Sequence, residues 1–135
     1  MPGYSATPLP QKLGIKNGYR VCLVHPPSEV RAELRHSLDE CELGQQGDPL
    51  DFVLLFTKSR AELSREFSRM AKRLLPAGML WVCWPKKSSG VATDLDENHV
   101  RDVGLNAGLV DVKVCAVTEV WSGLKFVTRL IDRKP

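Results

Sequence analysis

Three stretches of the chain are apolar without alternation, Val21 to Val24, Phe52 to Phe56 and Leu80 to Trp84, and residues at helical spacing lie between them. A run with no polar residue on either side of the pleat suits a strand covered on both faces, as crossover helices cover a parallel sheet. Strands alternating with helices force a mostly parallel sheet with right-handed crossovers. With 135 residues and 43% hydrophobic content, the chain can build one such core and not two.

The intervening stretches carry helix signals. Ser28 reads as an N-cap, and Val30, Leu34 and Leu38 recur every four residues behind it. Cys41 to Leu43 suits a short strand, and Gly44, Gly47, Asp48 and Pro49 a loop. Ser59 and Glu62 match a capping box, with Leu63, Phe67, Met70, Ala71 and Leu74 as the buried stripe and Pro76 and Gly78 as the stop. Asp94 and Glu97 form a second capping-box match, predicting a helix over about Leu95 to Asn106 stopped by Gly108. Val110, Val112, Val114 and Ala116 then alternate with Asp111, Lys113 and Cys115, a strand with one wetter face. Ser122 and Gly123 turn a hairpin into Leu124 to Ile131. The result is a three-layer, Rossmann-like α/β fold over residues 19–135, its mostly parallel sheet ending in an antiparallel hairpin. Residues 1–18 are rich in proline and glycine and form an arm that Leu9, Leu13 and Ile15 dock on the domain.

Charge and cysteine usage narrow the function. Nineteen Lys and Arg against 16 Asp and Glu leave +3, dispersed along the chain, and aromatics make up 7%, so a nucleic-acid partner is not indicated. No segment suits a signal peptide or a membrane span, which predicts a soluble, cytoplasmic protein. Cys22, Cys41, Cys83 and Cys115 lie far apart, without a CxxC pair or a histidine at ligand spacing. They are expected to be reduced thiols holding no metal.

The candidate site follows the third apolar run. Pro85 ends that strand, and Lys86, Lys87, Ser88, Ser89 and Gly90 crowd donors and two charges just past its carboxyl end, where open α/β sheets bind ligands. The loop is suited to a phosphate or carboxylate, although it lacks the GxxxxGK spacing of a nucleotide loop. The competing reading is a solvated connection whose lysines serve solubility. His25 stands at the same edge after the first strand and joins the ligand-binding set, but no nucleophile accompanies it. His36 and His99 suit solvated helix faces. Trp81 and Trp84 point to opposite faces of one strand, and Trp121, beside the expected turn, should be partly exposed.

DFVLLF, a capped helix, LLPAGMLWVCWP, another helix, GLVDVKV and a hairpin together resemble the later half of a class I S-adenosylmethionine-dependent methyltransferase. That resemblance implies a fold and a cofactor turn, and the turn departs from the pattern. The family uses a Gly-rich turn after the first strand, which lets backbone approach the cofactor. Here His25, Pro26, Pro27 and Ser28 stand there, and no glycine occurs between Tyr19 and Cys41. The interval for the second and third strands is compressed into Cys41 to Leu50, with Glu42 as the acidic candidate for a ribose. No cofactor is therefore expected, and S-adenosylmethionine is disfavoured. A second resemblance is longer: GYSATPLPQKLGIK from Gly3 and WPKKSSGVATDL from Trp84 are similar to segments of a small bacterial family known as a domain of unknown function. The leading reading is a non-catalytic or ligand-sensing module that binds an anionic small molecule or partner through Lys86 to Gly90. Its rivals are a methyltransferase with an atypical cofactor turn, and an interaction module using the arm and the hairpin edge.

Overall fold

Strand β3 (Leu50–Phe56) lies between β1 (Arg20–Val24) and β4 (Leu74–Pro85), all three parallel, with Val21–Val24 set against Phe52–Leu55 and Phe52–Phe56 against Met79–Cys83. The three apolar runs are thus neighbours. Strand β6 (Trp121–Thr128) pairs antiparallel with β4, β5 (Leu109–Ala116) closes that edge, and β2 (Glu42–Leu43) flanks β1, giving the order β2-β1-β3-β4-β6-β5. The computed structural model describes residues 7–133. The first six residues of the arm, including the GYSA that begins its motif, lie outside the described residues, as do the last two of the polar tail.

Helices cover both faces. Helices α3 (Arg60–Ala71) and α4 (Glu97–Asn106) pack Leu63, Phe67 and Val100 on Val53, Leu55, Leu80, Val82 and Phe126. Helices α1 (Leu9–Leu13) and α2 (Ser28–Leu38) pack Leu9, Leu13, Val30 and Leu34 on Val21, Phe52, Leu54 and Trp81. Alternate residues of β3 and β4 therefore enter different layers, each buried side chain stabilising the fold by about 1.5–3 kcal/mol. Phe67 and Phe126 meet edge to face at 5.4 Å. A Cβ on Gly104 would overlap the Phe126 ring, so only glycine lets α4 come this close. Trp81 and Trp84 do enter opposite layers.

Several boundaries differ from the sequence reading for physical reasons. Pro27, not Ser28, is the N-cap of α2, since its carbonyl accepts from the Val30 and Arg31 amides. Ser59 does cap α3, accepting from the Glu62 amide at 3.2 Å, but that helix ends at Ala71. Leu74 pairs with Leu50, so β4 runs through Pro76 and Gly78 across a register irregularity, where a missing N–H is tolerated. Helix α4 starts two residues later than expected: Asp96 is its cap, accepting from the His99 amide at 2.8 Å.

The hairpin turns at 117–120, not at Ser122 and Gly123, because Thr118 Oγ1 accepts from the Val120 and Trp121 amides, each at 3.0 Å. Ser122 and Gly123 belong to β6. Gly123 is required because a Cβ there would lie 2.7 Å from Val117 Cγ2 and 3.1 Å from Trp81 Cε3. Strand β6 stops at Thr128, and a 3-10 turn over Leu130–Asp132 replaces the expected strand end at Ile131. Trp121 is buried, edge-on to Phe56 at 5.1 Å, rather than partly exposed. The regular alternation of β5 is broken at Val112, where the register passes from Asp111↔Phe126 to Lys113↔Lys125. That bulge puts Val110 and Val114 on opposite faces and leaves Val112 and Val114 exposed. His99 is not simply solvated either: its Nε2 is buried and has no hydrogen-bond partner among the described residues.

Candidate functional site

Strand β4 carries Trp84 and Pro85 to the carboxyl edge of the sheet, and the Lys86 amide then donates to the Val120 carbonyl at 2.8 Å. Lys87–Ser89 form a 3-10 turn closed by Gly90 in the left-handed region (φ 76°). Ser89 Oγ donates to the Lys86 carbonyl at 2.6 Å and accepts from the Val91 amide at 3.2 Å. The amides of Ser89 and Gly90 return to the carbonyls of Lys86 and Lys87. The amides of Lys86, Ser89 and Gly90 and the Ser89 hydroxyl are thus already bonded, and the two lysine side chains are the charged groups the loop offers to a ligand.

They face a cavity of about 350 Å³ bounded by Trp84, Lys86, Lys87, Asp96, Glu97 and Ser122. Ser88, Ser89, Gly90 and His25 do not line it. Asp96 is held below the usual carboxylate range, first by its bond from the His99 amide and further by the charges of Arg60 and Lys87. The charge of Lys87 thus reaches Asp96, while Lys86 is half-buried at the cavity wall. The arrangement can hold an acidic group against Lys86 while Asp96 and Glu97 accept from donors on the same ligand. Asp96 and Glu97 were missed as lining residues: Glu97 reads only as part of the Asp94 capping box, and Asp96 carries no signal of its own.

His25 is brought elsewhere. It follows β1, with β3 intervening before β4, and it is exposed in the left-handed region (φ 53°). Its charge adds to the lowering of Glu66, which is due mainly to the bidentate bond from Arg69 at 3.0 and 2.9 Å. Pro26 and Pro27 offer no N–H in this turn. Glu42 pairs with Arg20 at 3.1 Å in register with the start of β1, so it stands at the amino end of the sheet, away from the ligand edge.

A larger groove was not anticipated. Strand β2 reaches only Arg20 and Val21, leaving the later half of β1 open on that side. A groove of about 600 Å³ lies there, walled by Leu23, Leu38 and Leu43 with Arg31 and Arg35 of α2. Its one sequence signal is the short connection between β2 and β3. Burial pushes the Cys83 thiol well above its ordinary value and raises Cys41 and Cys115 as well, which disfavours the thiolate at these three. Among the described residues, no three His, Cys, Asp or Glu side chains group as a metal site, and no helix is long and apolar enough to cross a membrane.

A parallel sheet covered by helices on both faces and closed by an antiparallel hairpin defines a Rossmann-like fold of the class I methyltransferase type. Residues 10–130 match the family DUF3052, described as a protein of unknown function, and the chain belongs to that family. No curated protein matches it. Among solved structures it is similar to the magnesium protoporphyrin IX methyltransferase of Synechocystis PCC 6803 with bound SAH (TM-score 0.59, 12% identity, 84% of this chain and 75% of that one). It is also similar to a putative methyltransferase from Thermoplasma acidophilum (0.57, 8% identity, 93% and 76%). A third is the fibrillarin pre-rRNA processing protein of Methanococcus jannaschii (0.54, 9% identity, 92% and 70%). At such identities the likeness shows the fold alone.

Proposed function

We propose that this chain is a non-catalytic binding module on a methyltransferase frame, recognising an anionic small molecule at the carboxyl end of β4 through Lys86 and Lys87. The observation that carries this reading is the β1-to-α2 turn. Where a methyl donor needs close backbone, the chain has a non-glycine residue, His25, at positive φ followed by two prolines, and the Pro27 carbonyl is taken up by α2. The Lys86 cavity supports binding at the opposite side of β3, and four unbridged thiols fit a reducing compartment such as the cytoplasm.

Calorimetry with S-adenosylmethionine and with phosphate-bearing and carboxylate-bearing metabolites tests it. The expected result is binding of an anion that Lys86→Ala/Lys87→Ala weakens, and no stoichiometric binding of S-adenosylmethionine. The second reading, a methyltransferase with an altered turn, is favoured by the fold shared with structures containing SAM and SAH. Stoichiometric S-adenosylmethionine binding with methyl transfer by the purified protein would establish that reading instead.

A further inference from the structure

Lys113 and Lys125 stand opposite each other on paired strands on the sheet face that carries α1, and Lys16 of the arm is near enough for its charge to reach Lys125. Lys125 of β6 stands directly opposite Lys113 of β5 and, on its other side, opposite Trp81 of β4, which belongs to the layer of Leu9 and Leu13. The arm crosses this spot. Trp81 Nε1 donates to the Leu13 carbonyl at 2.9 Å, and a Cβ built on Gly14 would lie 4.0 Å from Lys125 Nζ. Lys113 Nζ donates to the Lys12 carbonyl at 2.8 Å, and Lys12 Nζ donates to the Ala116 carbonyl at 2.8 Å. Lys16 follows two residues after Gly14.

Like charges directly opposite on paired strands oppose folding. Among the described residues no carboxylate lies within ion-pair distance of Lys16, Lys113 or Lys125. Lys125 is held below the usual lysine range, first by its burial and then by the charges of Lys113 and Lys16. A fold that gathers these ammonium groups without a counter-charge is arranged for one that arrives from outside. Lysine supplies point charges suited to phosphate oxygens.

We propose that Lys16, Lys113 and Lys125 bind a compact polyvalent anion, a phosphate monoester or pyrophosphate group, between the arm and the C-terminal hairpin. The site is separate from the Lys86 cavity. Trp81 and Pro85 mark the two levels on β4, four residues apart, which is roughly 13 Å along the strand. It also gives the LGIK end of the N-terminal motif a binding role besides docking.

The test uses the full chain with 13C-labelled lysine side chains, titrated by NMR across pH with and without sodium pyrophosphate. Bound anion favours the charged amine, so the Lys125 pKa should rise on saturation, a change that binding at Lys86 does not produce. Lys125→Gln should weaken pyrophosphate about tenfold or more, and its melting temperature without ligand should not fall, because a repulsion has been removed. Lys125 signals unmoved by pyrophosphate would overturn the proposal. So would a short single-stranded oligonucleotide binding here while pyrophosphate does not, or wild-type affinity in Lys125→Gln.

Discussion

Asp94 caps a helix that it does not precede: its carboxylate accepts the backbone N–H of Arg60 at 2.8 Å, and its carbonyl accepts from Arg60 Nε at 2.7 Å. Arg60 is the first residue of α3, whose opening amides have no partner within the helix. Ser59 satisfies one of them and Asp94 another. Thr93 adds a bond from Oγ1 to the Lys58 carbonyl at 2.6 Å, so the segment that begins with Lys86 ends bolted to α3.

Replacing Asp94 by alanine should therefore destabilise the fold by about 1 kcal/mol, the usual worth of a cap. Urea denaturation measures it. A midpoint unchanged from wild type would mean that water replaces this bond at no cost.

Acid should weaken the protein through Asp96 and Glu66, both held below their ordinary values of 3.8 and 4.5. A carboxylate with a lowered folded pKa stabilises the fold above its unfolded value, and the contribution is lost as pH falls through the folded pKa. Stability should hold above about pH 5 and decline below 4.5 as these groups protonate. Asp96→Asn keeps an acceptor for the His99 amide while removing a titrating group, so urea midpoints against pH should show a shallower acid limb for this variant.

Gly104→Ala sets two effects against each other. Alanine gains about 1 kcal/mol of helix propensity, but its Cβ would overlap Phe126, a ring already fixed edge-on to Phe67. Overpacking of about 1–3 kcal/mol wins. The melting temperature should fall, and adding Phe126→Leu should recover part of the loss.

Leu13 is fully buried, and its carbonyl accepts from the buried Trp81 indole. Leu13→Ala should cost about 2–5 kcal/mol and shift Trp81 fluorescence, because the arm lifts from the indole. Equal stability of variant and wild type would instead make the arm a dispensable element.

At the Lys86 cavity the two lysines should differ in effect. Lys87 is exposed and already acts on Asp96, whereas Lys86 is half-buried at the end of β4. For an anion bound there, Lys86→Ala should cost the larger share, on the order of 1.5–3 kcal/mol if the contact is sheltered, and Lys87→Ala less than about 1 kcal/mol. Isothermal titration of both variants checks the order, and a larger loss at Lys87 would place the anion on the outer side of the loop.

By itself the sequence determined what is periodic or local. The apolar runs at Val21, Phe52 and Leu80 specify covered parallel strands, Ser59 with Glu62 specifies a helix start, and the spacing of Leu63, Phe67 and Met70 specifies its buried face. Tertiary structure decided wherever local credentials point to the wrong residue. Asp94 reads as the cap of α4, but Arg60, 34 residues away, takes its carboxylate and leaves α4 to Asp96, which the local pattern does not single out. Ser122 and Gly123 look like a turn, but Gly123 is glycine because Trp81 and Val117 press on it, while Thr118 makes the turn. The bulge at Val112 and the meeting of Lys113 with Lys125 depend on pairing between strands, which no single run encodes. Local pattern sets which side chains must leave water. Which polar group finds which partner is settled only when distant segments come within hydrogen-bond reach, because a buried donor or acceptor is costly until then.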